Sequence, residues 1–310
     1  MVFTGLLQSL LLGTMDFARF CRGFHGKNAQ IDQFDWSYME RAGREPEVTE
    51  PVLFVHGFSS SKESWVNLAS RIDKKYQVVI PDLPGQGRTT PADPTLDYSM
   101  EAQAQRLHDF LEATIPVDRK VHLVGCSMGG MLAGIYSARY PDRVRSLTMI
   151  CPAGVSMPNK SDAYKLLDDT GKNLLLARTA DDFLEMINYL GYKPLKIPRF
   201  FANLIAKHRE PQMPVFEKIV NDSLENRTVL EENLHLITAK TLVFWGKNDR
   251  ILDVSSLPVV QEKLVNAPIK HFIVFDECGH TVQHEKYEEC ANAINTFLGG
   301  GTRMWNSIPR

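Results

Sequence analysis

From residue 30 onward the apolar positions recur in a strand–turn–helix rhythm. Residues 34–39 alternate as a half-buried strand does, whereas 51–56 (PVLFVH), 76–80 (YQVVI), 121–126 (VHLVGC) and 147–151 are short, nearly continuous apolar runs of the kind found in buried strands. Between them, 62–72, 100–113 and 127–140 carry apolar residues at helical spacing, for example Leu107, Phe110 and Leu111 on one face. The rhythm stops at Pro152. Residues 152–236 hold no convincing strand and several helical stretches: 180–190 after the cap pair Thr179 and Asp182, a run opening near Pro198, 214–224 and 228–237. Alternation resumes with strand 241–245 (TLVFW), helix 256–265, strand 271–275 (HFIVF) and helix 285–298, and Gly299-Gly300-Gly301 closes it. Alternating strands and helices predict an α/β fold with a mainly parallel sheet covered on both faces. The predicted organisation is a core of 25–151 and 237–299, an inserted helical cap of 152–236 and a loose tail of 300–310.

The N-terminal segment, 1–24, follows a different pattern. Its first fifteen residues carry no charged side chain, and as a helix they would reach only about 22 Å. Val2, Phe3, Leu6, Leu7, Leu10 and Leu11 fall on one arc, with Thr4, Gln8, Ser9, Asp16 and Arg19 mostly opposite. That reach is short for the bilayer's hydrocarbon core, so a helix lying in the membrane plane fits better than a span. Arg19, Arg22 and Lys27 stand where they could meet anionic headgroups. A helix packed on the domain is the plain alternative. A signal peptide fits less well, because a basic n-region and a small-residue cleavage site are both missing.

Composition narrows the classes. The chain has 310 residues, and its 35 Lys+Arg against 37 Asp+Glu give a net charge of −2, so no basic excess points to nucleic acid. The five cysteines, at 21, 126, 151, 278 and 290, form no C-x-x-C pair and suggest neither a disulfide framework nor a structural zinc site. No phosphate-binding loop, dinucleotide fingerprint or metal-ligand cluster is present, and no cofactor is expected.

The candidate chemistry begins at Gly125-Cys126-Ser127-Met128-Gly129, a G-x-S-x-G pattern where a predicted strand meets a predicted helix. A tight turn there projects the serine hydroxyl into the open, and the helix N-terminus behind it offers unpaired N–H groups. A serine hydroxyl needs a base. His280 follows the last strand after a short loop, which places it on the same sheet edge as Ser127; His284 is the nearest rival and is read as pointing away, and His56 as orienting loops. The imidazole needs an acid to hold its tautomer. Asp249, just past strand 241–245, is favoured, with Asp253 as the alternative; Asp276 lies too near His280 in sequence. Negative charge on the substrate oxygen needs donors worth about 3–4 kcal/mol each. The N–H of Met128 is one, and that of Phe58, in His56-Gly57-Phe58-Ser59 after the strand 51–56, is the second candidate.

These motifs, together with Asp82-Leu83-Pro84-Gly85, Cys151-Pro152-Ala153-Gly154, Trp245-Gly246-Lys247, Leu252-Asp253-Val254-Ser255 and Glu277-Cys278-Gly279-His280, resemble the α/β-hydrolase fold over about residues 30–298. Within it they look like the monoacylglycerol lipases of the α/β-hydrolase-domain-containing 6 type. The resemblance implies a membrane-anchored, intracellular serine hydrolase of monoacylglycerols and some lysophospholipids. It implies Ser127, Asp249 and His280 as triad, and Phe58 and Met128 as oxyanion donors. The cap is its least similar part. There, 194–208 mixes apolar residues with Lys193, Lys196, Arg199, Lys207 and Arg209, which suits either a membrane-docking helix or one packed on the core. Two other readings keep the same fold: a carbon–carbon bond hydrolase of ring-cleavage products, and a ligand-binding protein with little turnover.

Overall fold

The computed structural model describes residues 19–47, 49–224 and 226–301. The predicted amphipathic helix of 1–24 falls mostly outside the described residues, as does most of the tail. Among the described residues no helix is long and apolar enough to cross a membrane.

Eight strands form one sheet: β1 His25–Ile31, β2 Phe34–Arg41, β3 Val52–Val55, β4 Val78–Pro81, β5 Val121–Cys126, β6 Val144–Ile150, β7 Lys240–Gly246 and β8 Lys270–Phe275. Their order is β1-β2-β4-β3-β5-β6-β7-β8. β1 and β2 pair antiparallel, as do β2 and β4, and every other neighbouring pair is parallel. The central strands are apolar and buried along almost their whole length, as strands covered on both faces must be. The main helices are α1 Met100–Thr114, α2 Met128–Arg139, α3 Asp162–Thr170, α4 Ala180–Leu190, α5 Arg199–Arg209, α6 Met213–Ile219, α7 Ser256–Lys263 and α8 Tyr287–Leu298. α2 is buried over ten consecutive residues, from Met128 to Ser137, and packs on α1, β5 and β6.

The structure departs from the sequence pattern in places. β1 is not foreseen by that pattern: its side chains are mostly exposed, and pairing with β2 alone makes it a strand. The run 62–72 is a short 3₁₀ turn followed by one α-helical turn, Val66–Ala69, and 228–237 is 3₁₀ helix over Glu231–Leu236 rather than α-helix. Between β6 and β7 the described residues hold helices and no strand. Four of those helices, α3 to α6, stand beside the sheet's C-terminal edge. A small cluster including Ala177, Phe183, Met186 and Ala202 gives α4 and α5 an apolar centre separate from the main core, which α6 joins through Met213, Val215, Phe216 and Ile219.

Register fixes that edge. Val55 lies opposite Gly125, Gly125 opposite Met149, Ile150 opposite Phe244, and Gly246 opposite Phe275. Strands β3, β5, β6, β7 and β8 therefore end together, and the loops that leave them start side by side.

Candidate active site

Ser127 is the first residue beyond β5. Its backbone takes φ 56° and ψ −122°, a conformation that costs a side-chain-bearing residue energy. Neighbours hold it there: Ser127 N–H donates to the carbonyl of Ile150 at 2.9 Å, and its own carbonyl accepts from Ala153 N–H at 3.1 Å and Met131 N–H at 3.0 Å. The flanking glycines are required by close backbone approach. A Cβ on Gly125 would stand 2.1 Å from the carbonyl oxygen of Gly129, and one on Gly129 would stand 2.3 Å from that of Val55. Of the five described non-glycine residues with positive φ, four (Ser59, Ser127, Cys151 and Glu277) lie in loops leaving this one edge of the sheet. Strain concentrates where strand ends turn into loops that must present particular groups.

Asp249, beyond β7, is buried and fully committed. Oδ1 accepts the N–H groups of Ile251 and Leu252 at 2.8 and 2.9 Å, and Oδ2 receives Nδ1 of His280 at 2.7 Å. The donors to Oδ1 hold the carboxylate in place, and Oδ2 fixes the imidazole's tautomer, leaving Nε2 as the nitrogen able to exchange a proton. The alternative acid is engaged elsewhere: Asp253 accepts from Ser255 N–H at 2.9 Å. Asp276 pairs with Lys247 at 2.6 Å. His280 N–H donates to the carbonyl of Leu190, at the end of α4, so the loop carrying the imidazole is tied to a helix from the inserted segment. Glu285 reinforces that tie, accepting from the N–H of Gly279 and from the N–H of Tyr192, each at 2.9 Å.

Ser127 and His280 face a common cavity of about 760 Å³ whose walls include Gly57, Phe58 and Cys126. His284, expected to point away, also contributes to this wall, because the single helical turn Val282–Glu285 follows directly after the His280 loop. The N–H groups of Phe58 and Met128 donate to no acceptor among the described residues. Met128 opens α2, so its N–H is one that a helix leaves unpaired. The Phe58 loop is held from behind. Gln86 Oε1 accepts the N–H of Ser59 at 2.6 Å, and the Phe58 ring packs edge-on against Phe216. His56, as expected, orients loops: Nε2 accepts Leu83 N–H at 3.0 Å while Nδ1 donates to the Gly57 carbonyl at 2.8 Å. Burial pushes its pKa down, which keeps it neutral in that role.

A second cavity of about 340 Å³ shares Phe58 and Ser127 with the first and is walled mainly by apolar side chains, among them Met128, Leu174, Val220 and Leu252. Cys151, Asp249 and His280 place potential donor atoms within 4.8 Å of one another. They suit a metal poorly. Asp249 and His280 are bonded to each other, and burial, with the Asp249 charge, holds the Cys151 thiol protonated where a ligand must be thiolate. Cys126, Cys278 and Cys290 are likewise buried with raised pKa values, so these thiols are not reactive nucleophiles.

Gln86, Glu285 and Arg209 are site residues that the sequence pattern does not single out. No local pattern marks the first two, whose partners lie on other elements. Arg209 belongs to a basic run that suggests surface contact, yet it is buried in the cavity wall.

Comparison with known proteins agrees with this geometry. Monoacylglycerol lipase abhd6-A of Xenopus laevis is 32% identical over 286 residues, covering 89% of this chain and 82% of its own. Monoacylglycerol lipase ABHD6 of Rattus norvegicus is 32% identical over 274 residues, covering 86% of this chain and 79% of its own. Among solved structures, a bacterial membrane phospholipase A superposes with a TM-score of 0.87 at 30% identity, over 98% of this chain and 96% of that one. The family described as alpha/beta hydrolase fold matches residues 50–287. With the eight-stranded, mostly parallel sheet and the serine turn after β5, that match makes this chain a member of the α/β-hydrolase family.

Proposed function

We propose that the protein is a serine esterase that hydrolyses monoacylglycerols and related single-chain lipid esters at a membrane surface, with Ser127 as nucleophile, His280 as base and Asp249 as its orienting acid. The observation that carries the reading is the 2.7 Å bond from His280 Nδ1 to the buried Asp249, in a cavity shared with Ser127 at its strained turn. Similarity to the monoacylglycerol lipases supports the substrate class.

The reaction runs in two halves. His280 Nε2 takes the Ser127 hydroxyl proton as Oγ attacks the ester carbonyl carbon. The N–H groups of Phe58 and Met128 receive the charge that develops on the carbonyl oxygen. The tetrahedral intermediate collapses, the carbon–oxygen bond to glycerol breaks, and His280 protonates the departing alkoxide. Water then attacks the acyl-Ser127 ester with the same base and the same donors, releasing the fatty acid and restoring the hydroxyl. His280, which protonates the departing alcohol, lines the larger cavity and not the smaller, so the alcohol belongs in the larger and the acyl chain in the smaller. Residues 152–236 act as a cap over both.

The cap also supplies a surface for lipid. Leu195, Phe200 and Phe201 are exposed, at 62%, 57% and 45%, beside exposed Lys193, Lys196 and Lys207. Tyr192, Lys193, Pro194 and Leu195 belong both to this surface and to the larger cavity's wall, so a cap resting on a bilayer opens its mouth toward the lipid. The N-terminal segment, 1–24, is the second contact.

Steady-state hydrolysis of a panel tests the function: monoacylglycerols of rising chain length, a short aryl ester and a dienone acid. The expected result is preference for long-chain monoacylglycerol, and a loss of roughly 10⁵-fold or more in kcat for Ser127→Ala. Turnover of the dienone acid but not of acylglycerols would assign carbon–carbon hydrolysis instead, and equal inertness of both proteins would assign a binding role.

A further inference from the structure

The larger cavity contains a cation that ester hydrolysis does not require. Arg209, the last residue of α5, is 7% exposed and forms part of the wall shared with Ser127 and His280. Its Nη2 donates to the Leu175 carbonyl at 3.3 Å, and its Nε reaches no acceptor. The guanidinium lies 5.4 Å from the centre of the Phe216 ring, which in turn packs against Phe58. No carboxylate among the described residues pairs with it, and burial alone acts on its pKa, downward, with no neighbouring acid to offset it. Other buried arginines also leave a nitrogen unmatched, but each has several acceptors. Arg143 sits 3.0 Å from Glu112 and donates to three carbonyls, and Arg41 donates to the carbonyls of Ala69, Ser70, Ile72 and Asp73. A buried guanidinium with one long bond and no counter-charge is unfavourable unless a ligand supplies the charge. Its planar fork is matched to oxyanions with two or more oxygens.

We propose that Arg209 is the specificity-determining residue that holds the phosphate of lysophospholipid substrates, the class the family resemblance already implies, on the alcohol side of the ester, so that the enzyme takes them in preference to neutral glycerol esters. The side follows from His280, which protonates the departing alcohol: His280 and Arg209 both line the larger cavity and neither lines the smaller. The assignment rests on the esterase reading above and adds the chemical group that the cavity selects. The aromatic pair Phe216–Phe58 links the guanidinium to the loop whose N–H faces the reacting carbonyl, so an anchored phosphate also orients the ester.

The test compares the full-length wild type with Arg209→Met, which keeps much of the side chain's length, and with Arg209→Lys, which keeps the charge. Two readouts are used. The first is kcat/KM on 1-palmitoylglycerol and 1-palmitoylglycerol 3-phosphate at fixed surface dilution in neutral detergent micelles. The second, independent of turnover, is thermal stabilisation by the non-hydrolysable ethers 1-O-hexadecylglycerol and 1-O-hexadecylglycerol 3-phosphate. In Arg209→Met the phosphate-to-neutral ratio of kcat/KM is expected to fall by about 10- to 100-fold, chiefly through KM, and the stabilisation specific to the phosphate ether to disappear. Arg209→Lys should recover part of both. Arg209→Met should unfold no earlier than wild type, since it removes an unpaired buried charge.

An unchanged ratio with unchanged ether binding overturns the proposal while leaving the esterase reading intact. Loss of ether binding in Arg209→Met from a wild type that cleaves neither ester supports the anion subsite and overturns the esterase reading. Equal protection by inorganic phosphate, or Arg209-dependent binding of palmitate in place of the phosphate ether, makes this a free-anion or product site and overturns the substrate assignment.

Discussion

At the C-terminal edge of the sheet, the candidate nucleophile and acid are held by backbone. Ser127 is gripped by three main-chain hydrogen bonds and two backbone-packed glycines, and Asp249 by two N–H donors. In the segment between β6 and β7, side chains do most of the holding. α4 is started by a Thr179–Asp182 capping box. Its flank is braced by exposed ion pairs, Lys172 with Asp182 and Glu185, and Arg199 with Asp181. Exposed pairs of this kind contribute little each. The apolar cluster inside the segment is small, and some of its largest apolar side chains, Phe200 and Phe201, face outward. The difference separates two jobs. A proton relay tolerates little positional error, so it is built on strand ends. A surface that must admit a lipid is built from elements that can yield. The two regions meet at several stitches, among them His280 N–H to the Leu190 carbonyl, Glu285 to Tyr192 N–H and Ala163 N–H to the Arg250 carbonyl.

If this division is right, substitutions at the edge cost far more than substitutions above it. The largest effect is expected for Asp249→Asn, which leaves the fold intact but releases the imidazole's tautomer: kcat should fall about 10⁴-fold, with little change in KM, in ester-hydrolysis assays. Next is Gly125→Ala, whose added methyl meets the Gly129 carbonyl. Urea unfolding should show a loss of about 3 kcal/mol or more. A loss under about 0.5 kcal/mol, the size of an ordinary surface change, would mean that the elbow is looser than its backbone contacts imply. In the cap, Phe200→Ser with Phe201→Ser should weaken vesicle binding about tenfold in sedimentation assays while hydrolysis of a short soluble aryl ester persists. Smallest is Asp182→Asn. Bonds from Thr179 and then Lys172 hold the Asp182 carboxyl at a pKa of about 2. Because the folded value lies below the unfolded one, its contribution is complete above about pH 4 and fades as pH falls toward 2. The substitution should therefore cost about 0.5 kcal/mol at pH 7, less near pH 3, by the same unfolding assay.

The same division governs what can be read from the chain. The edge is legible because its constraints are local. Glycine on both sides of Ser127, an apolar run before it and helical spacing after it predict the turn, and Asp249 and His280 each follow a strand that announces itself by a continuous apolar run. Position favours Asp249 over Asp253; the bonds that separate them, to His280 and to Ser255, are visible only once the loops are folded. The cap is less legible. α3 has a cap serine, Ser161, and a left-handed Gly171 at its end, yet none of its residues is fully buried: its apolar face, Ala163, Tyr164 and Leu167, lines the smaller cavity and stays half-buried. β1 shows the same loss of signal at the sheet margin, where polar exposed residues become a strand only through β2. Arg209 illustrates the limit best. Its charge groups it with the surface lysines, and only the packing of α5 against Phe216 shows that it is buried.

All of the chemistry depends on Ser127 being the nucleophile that the strained turn presents. Intact-protein mass spectrometry after exposure to a serine-directed fluorophosphonate, followed by peptide mapping, tests this directly. The expected result is a single adduct on Ser127, absent in Ser127→Ala and strongly slowed in His280→Ala. An unlabelled wild type, or an adduct on any other residue, would contradict it.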